Sequence, residues 1–133
     1  MDLADYSPAL KLAGREEPGV FELRTYTTNA GKMPALDRRF RDHTIRIFSR
    51  FGMESVGYWH PEESNKLIYL LHHKNLTAAK KSWQAFAADP EWKKVAADSQ
   101  KAGRILAKKP DSVFIKATDY SPRYSGERPA KRD

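Results

Sequence analysis

An acid, a base and a phenol alternate along the segment VFELRTYTT, residues 20–28. The segment has the two-residue period of a β-strand, which places Glu22, Arg24 and Tyr26 on one face. A guanidinium and a phenol side by side can bind a carboxylate or carbonyl group of a ligand. Because buried charges need partners, the same three groups could instead form a polar seam against a second surface. Both interpretations stay open.

The histidines are the candidates for general acid–base catalysis, because imidazole titrates near neutral pH. His43 falls on the apolar stripe of a predicted helix and is expected to face the cleft between that helix and the sheet. His72 and His73 are adjacent in a strand and point to opposite faces, so they cannot share a metal ion. A symmetric hairpin pairs His72 with Glu54, which could orient the imidazole. We take His43 and His72 as catalytic candidates, with core packing of His43 as the alternative.

No cofactor or metal motif accompanies these residues in the sequence. The chain contains no cysteine, which excludes disulfides, thiolate metal sites and cysteine nucleophiles. It also lacks metal-binding histidine spacings, a glycine-rich dinucleotide fingerprint and a serine-hydrolase elbow, so we predict no metal and no cofactor. Five aromatic residues could line a pocket for a flat apolar ligand, although core packing is the common role of such residues: Tyr58, Trp59, Tyr69, Trp83 and Trp92.

Composition and charge narrow the class of protein. With 133 residues, 40% of them hydrophobic and 31% charged, the chain suits one globular domain. No apolar run reaches the ~20 residues that span a bilayer. Because no secretory or transit leader is recognisable, we expect a cytoplasmic protein. The net charge of +7 comes from segments 32–50 and 74–109. Without a nucleic-acid-binding motif this charge indicates solvated helix faces, and we predict no nucleic-acid partner.

Turn and helix signals divide the chain into six elements. Pro34 suits the first turn of one helix, and Asp89-Pro90 restarts a second helical stretch with a capping acid and a proline. Two β-rich runs are separated by five turn-forming residues, which indicates a hairpin. The predicted strands are 20–28, 53–60, 66–74 and 112–118, and the predicted helices run from about Pro34 to Gly52 and from Leu76 to Pro110.

The order of these elements predicts a ferredoxin-like βαββαβ fold of the α+β class, a four-stranded antiparallel sheet with two helices on one face. The other sheet face would be bare, although the hairpin is apolar on both faces. We therefore predict a homodimer through the sheet face that closes into an α+β barrel, with the Glu22 row beneath the partner's sheet. Residues 1–19 are interpreted as an arm outside the core, 20–118 as the domain and 119–133 as a C-terminal tail.

Four motifs occur in a fixed order: FELRTYT, then Gly31-Lys32 before a helix, then ESVGYWHPE, and finally FAADPEWKK. With them the chain resembles the NIPSNAP family of the dimeric α+β barrel superfamily, over residues 20–118. The resemblance implies that fold and a dimer, but no agreed reaction. Several eukaryotic members are mitochondrial proteins linked to vesicle traffic or organelle quality control, and related barrels include small monooxygenases and isomerases.

Three functions are compatible with these observations. The leading hypothesis is a homodimer that binds a small apolar or aromatic anion between sheet and helices. An alternative is a non-enzymatic protein-interaction module, and another is a cofactor-independent monooxygenase or isomerase with His43 or His72 as base. An open pocket between sheet and helices would favour the first function over the second. The predicted ligand-binding residues are Arg24, Tyr26, Tyr58, Trp59 and Tyr69.

Overall fold

In the computed structural model, the chain forms an antiparallel sheet with helices on one face. The structure describes residues 2–4, 6 and 19–122. A π-helical turn, Phe40–Thr44, joins the first two helices. The strands are β1 (Asp2–Leu3), β2 (Val20–Thr27), β3 (Glu54–His60), β4 (Lys66–His73) and β5 (Asp111–Ile115). The helices are α1 (Met33–Arg39), α2 (Ile45–Arg50), α3 (Leu76–Ala88) and α4 (Pro90–Ser99). Among the described residues no helix is long and apolar enough to cross a membrane.

The strand order is β1-β3-β4-β2-β5, and every neighbouring pair is antiparallel. The four longer strands have the order of the predicted ferredoxin-like fold, so the α+β fold class is confirmed. The short strand β1 is an addition at the edge beside β3. As a result β2 lies inside the sheet, bonded to β4 on one side and β5 on the other.

The additional strand comes from the segment that was predicted to be an arm outside the core. Ala4 is buried, and the Tyr6 ring packs against Phe40 and Tyr58. The Tyr6 hydroxyl donates to Asp37 Oδ1 at 2.9 Å. The arm interpretation is therefore wrong for these residues, because their backbone and rings complete an edge of the sheet and its core. The rest of that segment, and the tail beyond residue 122, lie outside the described residues.

The π-helical turn changes which residues the first helical segment buries. The Ile45 N–H donates to the Phe40 carbonyl and the Thr44 hydroxyl to the Arg39 carbonyl, each five residues back. One extra residue in the turn rotates α2 relative to α1. Thr44 is consequently buried at 1% exposure, whereas His43 is only half-buried.

Asp89 both ends α3 and begins α4. Its carboxylate accepts a hydrogen bond from the Trp92 N–H at 2.9 Å, with Pro90 in the first helical turn as predicted. The helix then ends at Ser99, so the prediction of helix to Pro110 is wrong. Gly103 has φ +124°, which does not fit a helix, and the backbone turns back to the sheet, where Ala107 N–H donates to the Thr27 carbonyl.

The side chains of Glu22, Arg24 and Tyr26 face the helices of the same chain. The indole N–H of Trp83, on α3, donates to Glu22, and the Arg24 guanidinium lies 4.1 Å from the centroid of the Trp83 ring. The expectation that this row lies beneath a partner's sheet is therefore wrong. The two-residue period separates the two faces correctly, but it carries no information about which face the helices cover.

The opposite sheet face, which we call the outer face, carries Leu23, Trp59, Ile68 and Leu70. A β-bulge between Ser55 and Gly57 shifts the β3–β4 register by one residue. Tyr58 is thereby paired with Tyr69 on the helix side, and Trp59 with Ile68 on the outer face. All four outer-face side chains are partly exposed, and at the β5 edge Val113 and Ile115 are 54% and 41% exposed.

Two glycines allow a test of how tightly β2 is fixed at its start. Gly19 and Gly31 have nearly the same positive φ, +69° and +74°. An added Cβ at Gly19 would collide with the His73 carbonyl and lie 2.5 Å from His72 Nε2, whereas at Gly31 it would meet no described atom within 4 Å. We expect Gly19→Ala to destabilise the protein by about 2–4 kcal/mol and Gly31→Ala by about 1 kcal/mol. Urea unfolding of both variants measures the difference, and equal losses would contradict the collision.

Candidate functional site

A buried carboxylate organises the contact between the sheet and α3. Glu22 is 1% exposed and accepts four hydrogen bonds. His73 Nε2 and Trp83 Nε1 donate to its Oε1 at 2.8 and 2.7 Å, and Ser112 and Arg24 donate to Oε2 at 2.6 and 3.0 Å. Burial by itself would raise the pKa of Glu22, but these hydrogen bonds and the Arg24 charge lower it to about 2. The carboxylate is therefore ionised at neutral pH.

Arg24 directs its nitrogens to neighbouring protein groups. Its Nε donates to the Tyr69 hydroxyl at 2.8 Å, one terminal nitrogen contacts Glu22, and the other lies 3.4 Å from the Tyr26 hydroxyl. Burial opposes the charge, yet Tyr69, Tyr26 and Glu22 together raise the pKa of Arg24. This is the geometry of a polar seam that joins α3 to the sheet. A role of Arg24 and Tyr26 in ligand binding stays a prediction.

The structure does not bring the five predicted ligand-binding residues together. Arg24, Tyr26, Tyr58 and Tyr69 share the helix side, where Tyr58 and Tyr69 are fully buried and stack with ring centroids 5.0 Å apart. Trp59 lies on the outer face, across the sheet from the other four. A single pocket formed by all five is therefore excluded, because Tyr58 and Trp59 are adjacent in β3 and point to opposite faces of the sheet.

The two catalytic candidates are also separated by the sheet. His72 pairs with Glu54 as predicted, with Nδ1 3.5 Å from the Glu54 carboxylate, and it lies on the outer face. His43 lies in the π-helical turn, which packs against α4, and its Nδ1 is buried with no hydrogen-bond partner among the described residues. They cannot serve one site. No group of three potential metal ligands occurs within the described part of the chain.

A cavity that sequence reasoning did not anticipate lies between α4 and the segment 104–110. Its volume is about 380 Å³, and we call it the basic cavity. Of the described residues, four cationic side chains line it and no acidic side chain does. Trp92, Ala96, Leu106 and Pro110 contribute apolar walls. The cationic lining residues are Arg39, Arg104, Lys108 and Lys109.

Arg39 is the buried member of this set. It is 7% exposed, its terminal nitrogen donates to Ser99 Oγ at 3.2 Å, and its guanidinium lies 5.1 Å from the centroid of a Trp92 ring. Its Nε is buried without a partner in the described part of the chain. Burial lowers the pKa of Arg39, although Tyr26 and Tyr69 act in the opposite direction. A buried cation with an unused donor is uncommon and suits an anion site.

The turn after β2 fixes the position of the segment 104–110, which carries three of the four cationic lining residues. The Asn29 side-chain amide donates to the carbonyls of Arg104 and Leu106, at 3.0 and 3.3 Å. Lys32 Nζ donates to the Ala102 carbonyl at 2.8 Å. The sequence analysis missed this arrangement because it predicted a helix as far as Pro110. Such a helix would distribute the cationic side chains over a solvated surface. Gly103 was the available signal that the helix ends earlier.

The βαββαβ order of the four longer strands and the helices on one face of the sheet define a protein of the ferredoxin-like α+β class. Within this class, the NIPSNAP family profile matches residues 21–122, and the chain belongs to the NIPSNAP family. No curated protein shows significant sequence similarity to it.

Solved NIPSNAP structures share the fold. An uncharacterised NIPSNAP-like domain protein from Burkholderia xenovorans has a TM-score of 0.69 and 16% identity, covering 81% of this chain and 92% of its own. A second uncharacterised NIPSNAP protein from that organism has a TM-score of 0.67 and 22% identity, covering 78% and 99%. A NIPSNAP family protein of unknown function from Agrobacterium tumefaciens has a TM-score of 0.69 and 22% identity, covering 81% and 96%.

Proposed function

We propose that this NIPSNAP-family protein is a homodimer that binds a small anion with an apolar or aromatic body in the basic cavity. The observation that carries the proposal is the buried Arg39, whose Nε lacks a partner among the described residues at the wall of a cavity lined by three further cations. An anionic ligand would compensate this charge, since no described carboxylate lines the cavity.

The dimensions and walls of the cavity also support the proposal. About 380 Å³ lies at the lower end of the range for small-molecule sites. Trp92 and Ala96 are one helical turn apart on α4 and offer an apolar wall opposite Leu106. This site lies at the end of the helical layer, whereas the sequence prediction had placed the ligand around Arg24. The polar seam around Arg24 has a structural function in this proposal.

The proposed dimer uses the outer face. Leu23, Ile68 and Leu70 are partly exposed there, and a second copy of the same face would remove them from water. Two-fold symmetry makes such a face self-complementary. Burial of this apolar surface supports association, and each copy keeps its own basic cavity on the helix side of its sheet.

Replacing Arg39 tests the ligand site. We expect Arg39→Gln to weaken binding of phenyl phosphate or benzoate at least about ten-fold, because a charge-assisted hydrogen bond is lost. Arg38→Gln is the matched control, since Arg38 is the preceding residue on α1 and lies outside the cavity lining. Calorimetric titration at fixed ionic strength gives the affinities.

A buried arginine can also matter for folding, so the test needs a second variant. Arg104 is exposed, and Arg104→Gln should weaken binding while the urea midpoint stays unchanged. Unchanged affinity in both Arg39→Gln and Arg104→Gln would contradict the proposal. So would ligand-induced changes in backbone amide NMR shifts that cluster at Arg24 and Trp83 instead of Trp92, because the ligand would then bind elsewhere.

One observation favours a second candidate, the non-enzymatic interaction module. The gap between sheet and helices is filled by large buried side chains, among them Phe40, Phe48, Tyr58 and Tyr69. A filled gap is what this function predicts. Absence of binding by any anionic probe would favour the module over the small-molecule site. A cofactor-independent monooxygenase or isomerase stays a prediction, tested by the pH dependence of turnover once a substrate is found.

A further inference from the structure

We infer that the ligand of the basic cavity carries a compact dianionic head, such as a phosphate monoester or a pair of neighbouring carboxylates. This inference rests on the proposed anion-binding function of the same cavity and adds the class of ligand. Its basis is the number of cations at the cavity, their placement on two sides of it, and which of them already have a carboxylate partner.

The cavity holds more positive charge than one carboxylate can balance. Of its four cations, Lys108 has a carboxylate partner, Asp111 at 3.3 Å, and both of these side chains are more than half exposed. Within the described residues, Arg39, Arg104 and Lys109 have no carboxylate at ion-pair distance. Three uncompensated cations at one cavity favour an anion with more than one charge.

The cations also approach the cavity from two directions. Arg39 lies deep, at the end of α1, while Arg104 and Lys109 are exposed on the segment that Asn29 holds against the sheet. A head group with three or four oxygens can contact both sides at once. A monocarboxylate has two oxygens and is best matched by a single guanidinium fork. A phosphate monoester adds about 1.5 to 2 negative charges at neutral pH.

The body attached to this head is small and apolar. Trp92, Leu106 and Pro110 provide its contacts, and a cavity of about 380 Å³ holds a head group with roughly one ring. The cavity therefore suits a small aromatic or aliphatic phosphate ester or dicarboxylate, and the two sources of dianionic charge are separated by experiment.

Four probes that share one phenyl ring test the inference: phenyl phosphate, phthalate, benzoate and benzamide. Binding to the full chain is measured by calorimetric titration and by changes in backbone amide NMR shifts, at pH 7.5 and fixed ionic strength. We expect at least one dianion to bind about ten-fold tighter than benzoate, with benzamide weakest. Tight phenyl phosphate with weak phthalate identifies a phosphate ester, and the reverse identifies a dicarboxylate; each result supports a dianionic head.

Variants of the cavity rim distinguish this inference from general charge attraction. Arg104→Gln and Lys109→Gln should reduce the preference for the dianion over benzoate towards one. Lys94→Gln, an exposed change on α4 outside the cavity lining, should leave the preference intact. A preference that Lys94→Gln reduces as much as Lys109→Gln would overturn the inference.

The two proposals fail in different ways. Benzoate that binds in the cavity as tightly as both dianions would overturn the dianionic head while the anion site stands. Binding of none of the anions, in a protein whose unfolding midpoint shows it to be folded, would overturn both. Dianions that bind but shift amides away from Trp92 and Leu106 would also overturn both, because the ligand would then occupy a different surface.

Discussion

Glu22→Ala is expected to destabilise the folded protein by about 3–5 kcal/mol, the loss typical of breaking a buried ion pair. The change removes one acceptor but leaves four donors, including the Trp83 indole N–H and the buried His73. The buried His73 and the partly buried Trp83 then lose an acceptor inside the protein, and burying a donor without a partner costs more than the hydrogen bond contributed. Urea unfolding followed by circular dichroism at pH 7 measures the loss.

The matched control for this change is Glu62→Ala, at an exposed residue between β3 and β4. It should alter stability by less than about 0.5 kcal/mol. Glu22→Gln keeps the shape of the side chain and should cost less than Glu22→Ala. A loss below about 1 kcal/mol for Glu22→Ala would mean that the four donors find water or other acceptors, and the polar seam would then contribute little to the fold.

Lowering the pH should also reduce the free energy of unfolding of the unchanged protein, because Glu22 becomes protonated. The pKa of Glu22 is about 2 in the folded state against 4.5 unfolded, so the ionised carboxylate stabilises the fold fully above pH 4.5. This contribution, on the order of 3 kcal/mol, is lost as the pH falls from 4.5 through 2. The difference in stability between the unchanged protein and Glu22→Gln should therefore shrink over that range. A constant difference would show that charge is not the cause.

Leu70→Asp is expected to convert the proposed dimer into a monomer. Leu70 lies on the outer face, paired with Leu23 across the strands, so a symmetric interface would bury two aspartates among apolar side chains. We expect the dissociation constant to rise at least about a hundred-fold. Light scattering after size exclusion should show a fall from twice the chain mass of 15.2 kDa to that mass.

We expect the Leu70→Asp variant to fold as a monomer, because the hydrophobic core lies on the helix side of the sheet. Lys80→Asp, an exposed change on α3, is the control and should leave the dimer intact. An unchanged protein that is monomeric at about 100 μM would contradict the dimer directly. A dimer that survives Leu70→Asp would place the interface on another surface.

The fold was predictable because its signals are local and repeated. The alternation along VFELRTYTT predicted β2, Asp89-Pro90 predicted the start of α4, and the order of elements then left few topologies. The identity of the covered sheet face was not predictable, since both faces of β2 and the hairpin contain residues that tolerate burial. It follows from contacts distant in sequence, such as the Trp83 indole with Glu22, 61 residues away, and Phe40 with Tyr69.

The candidate site was less predictable because two local irregularities determine it. The π-helical turn moves His43 away from the position that a regular helix would give it, and no side-chain pattern marks the extra residue. After α4 ends at Ser99, the segment 104–110 is positioned by hydrogen bonds from Asn29 to the Arg104 and Leu106 carbonyls, and Asn29 is distant in sequence. The sequence analysis assigned Arg39 to a solvated basic helix face, whereas in the structure α4 packs over it.

The location of β5 beside β2 has a consequence for the protein during its synthesis. Ser112, which completes the hydrogen bonds of Glu22, is 90 residues further along the chain. At about 5–20 residues per second, the ribosome needs about 5 to 18 seconds to make that interval. Until β5 is made, at least one edge of β2 is unpaired and open to strands of other nascent chains. Vectorial synthesis therefore leaves this edge available for strand pairing between nascent chains until β5 is made.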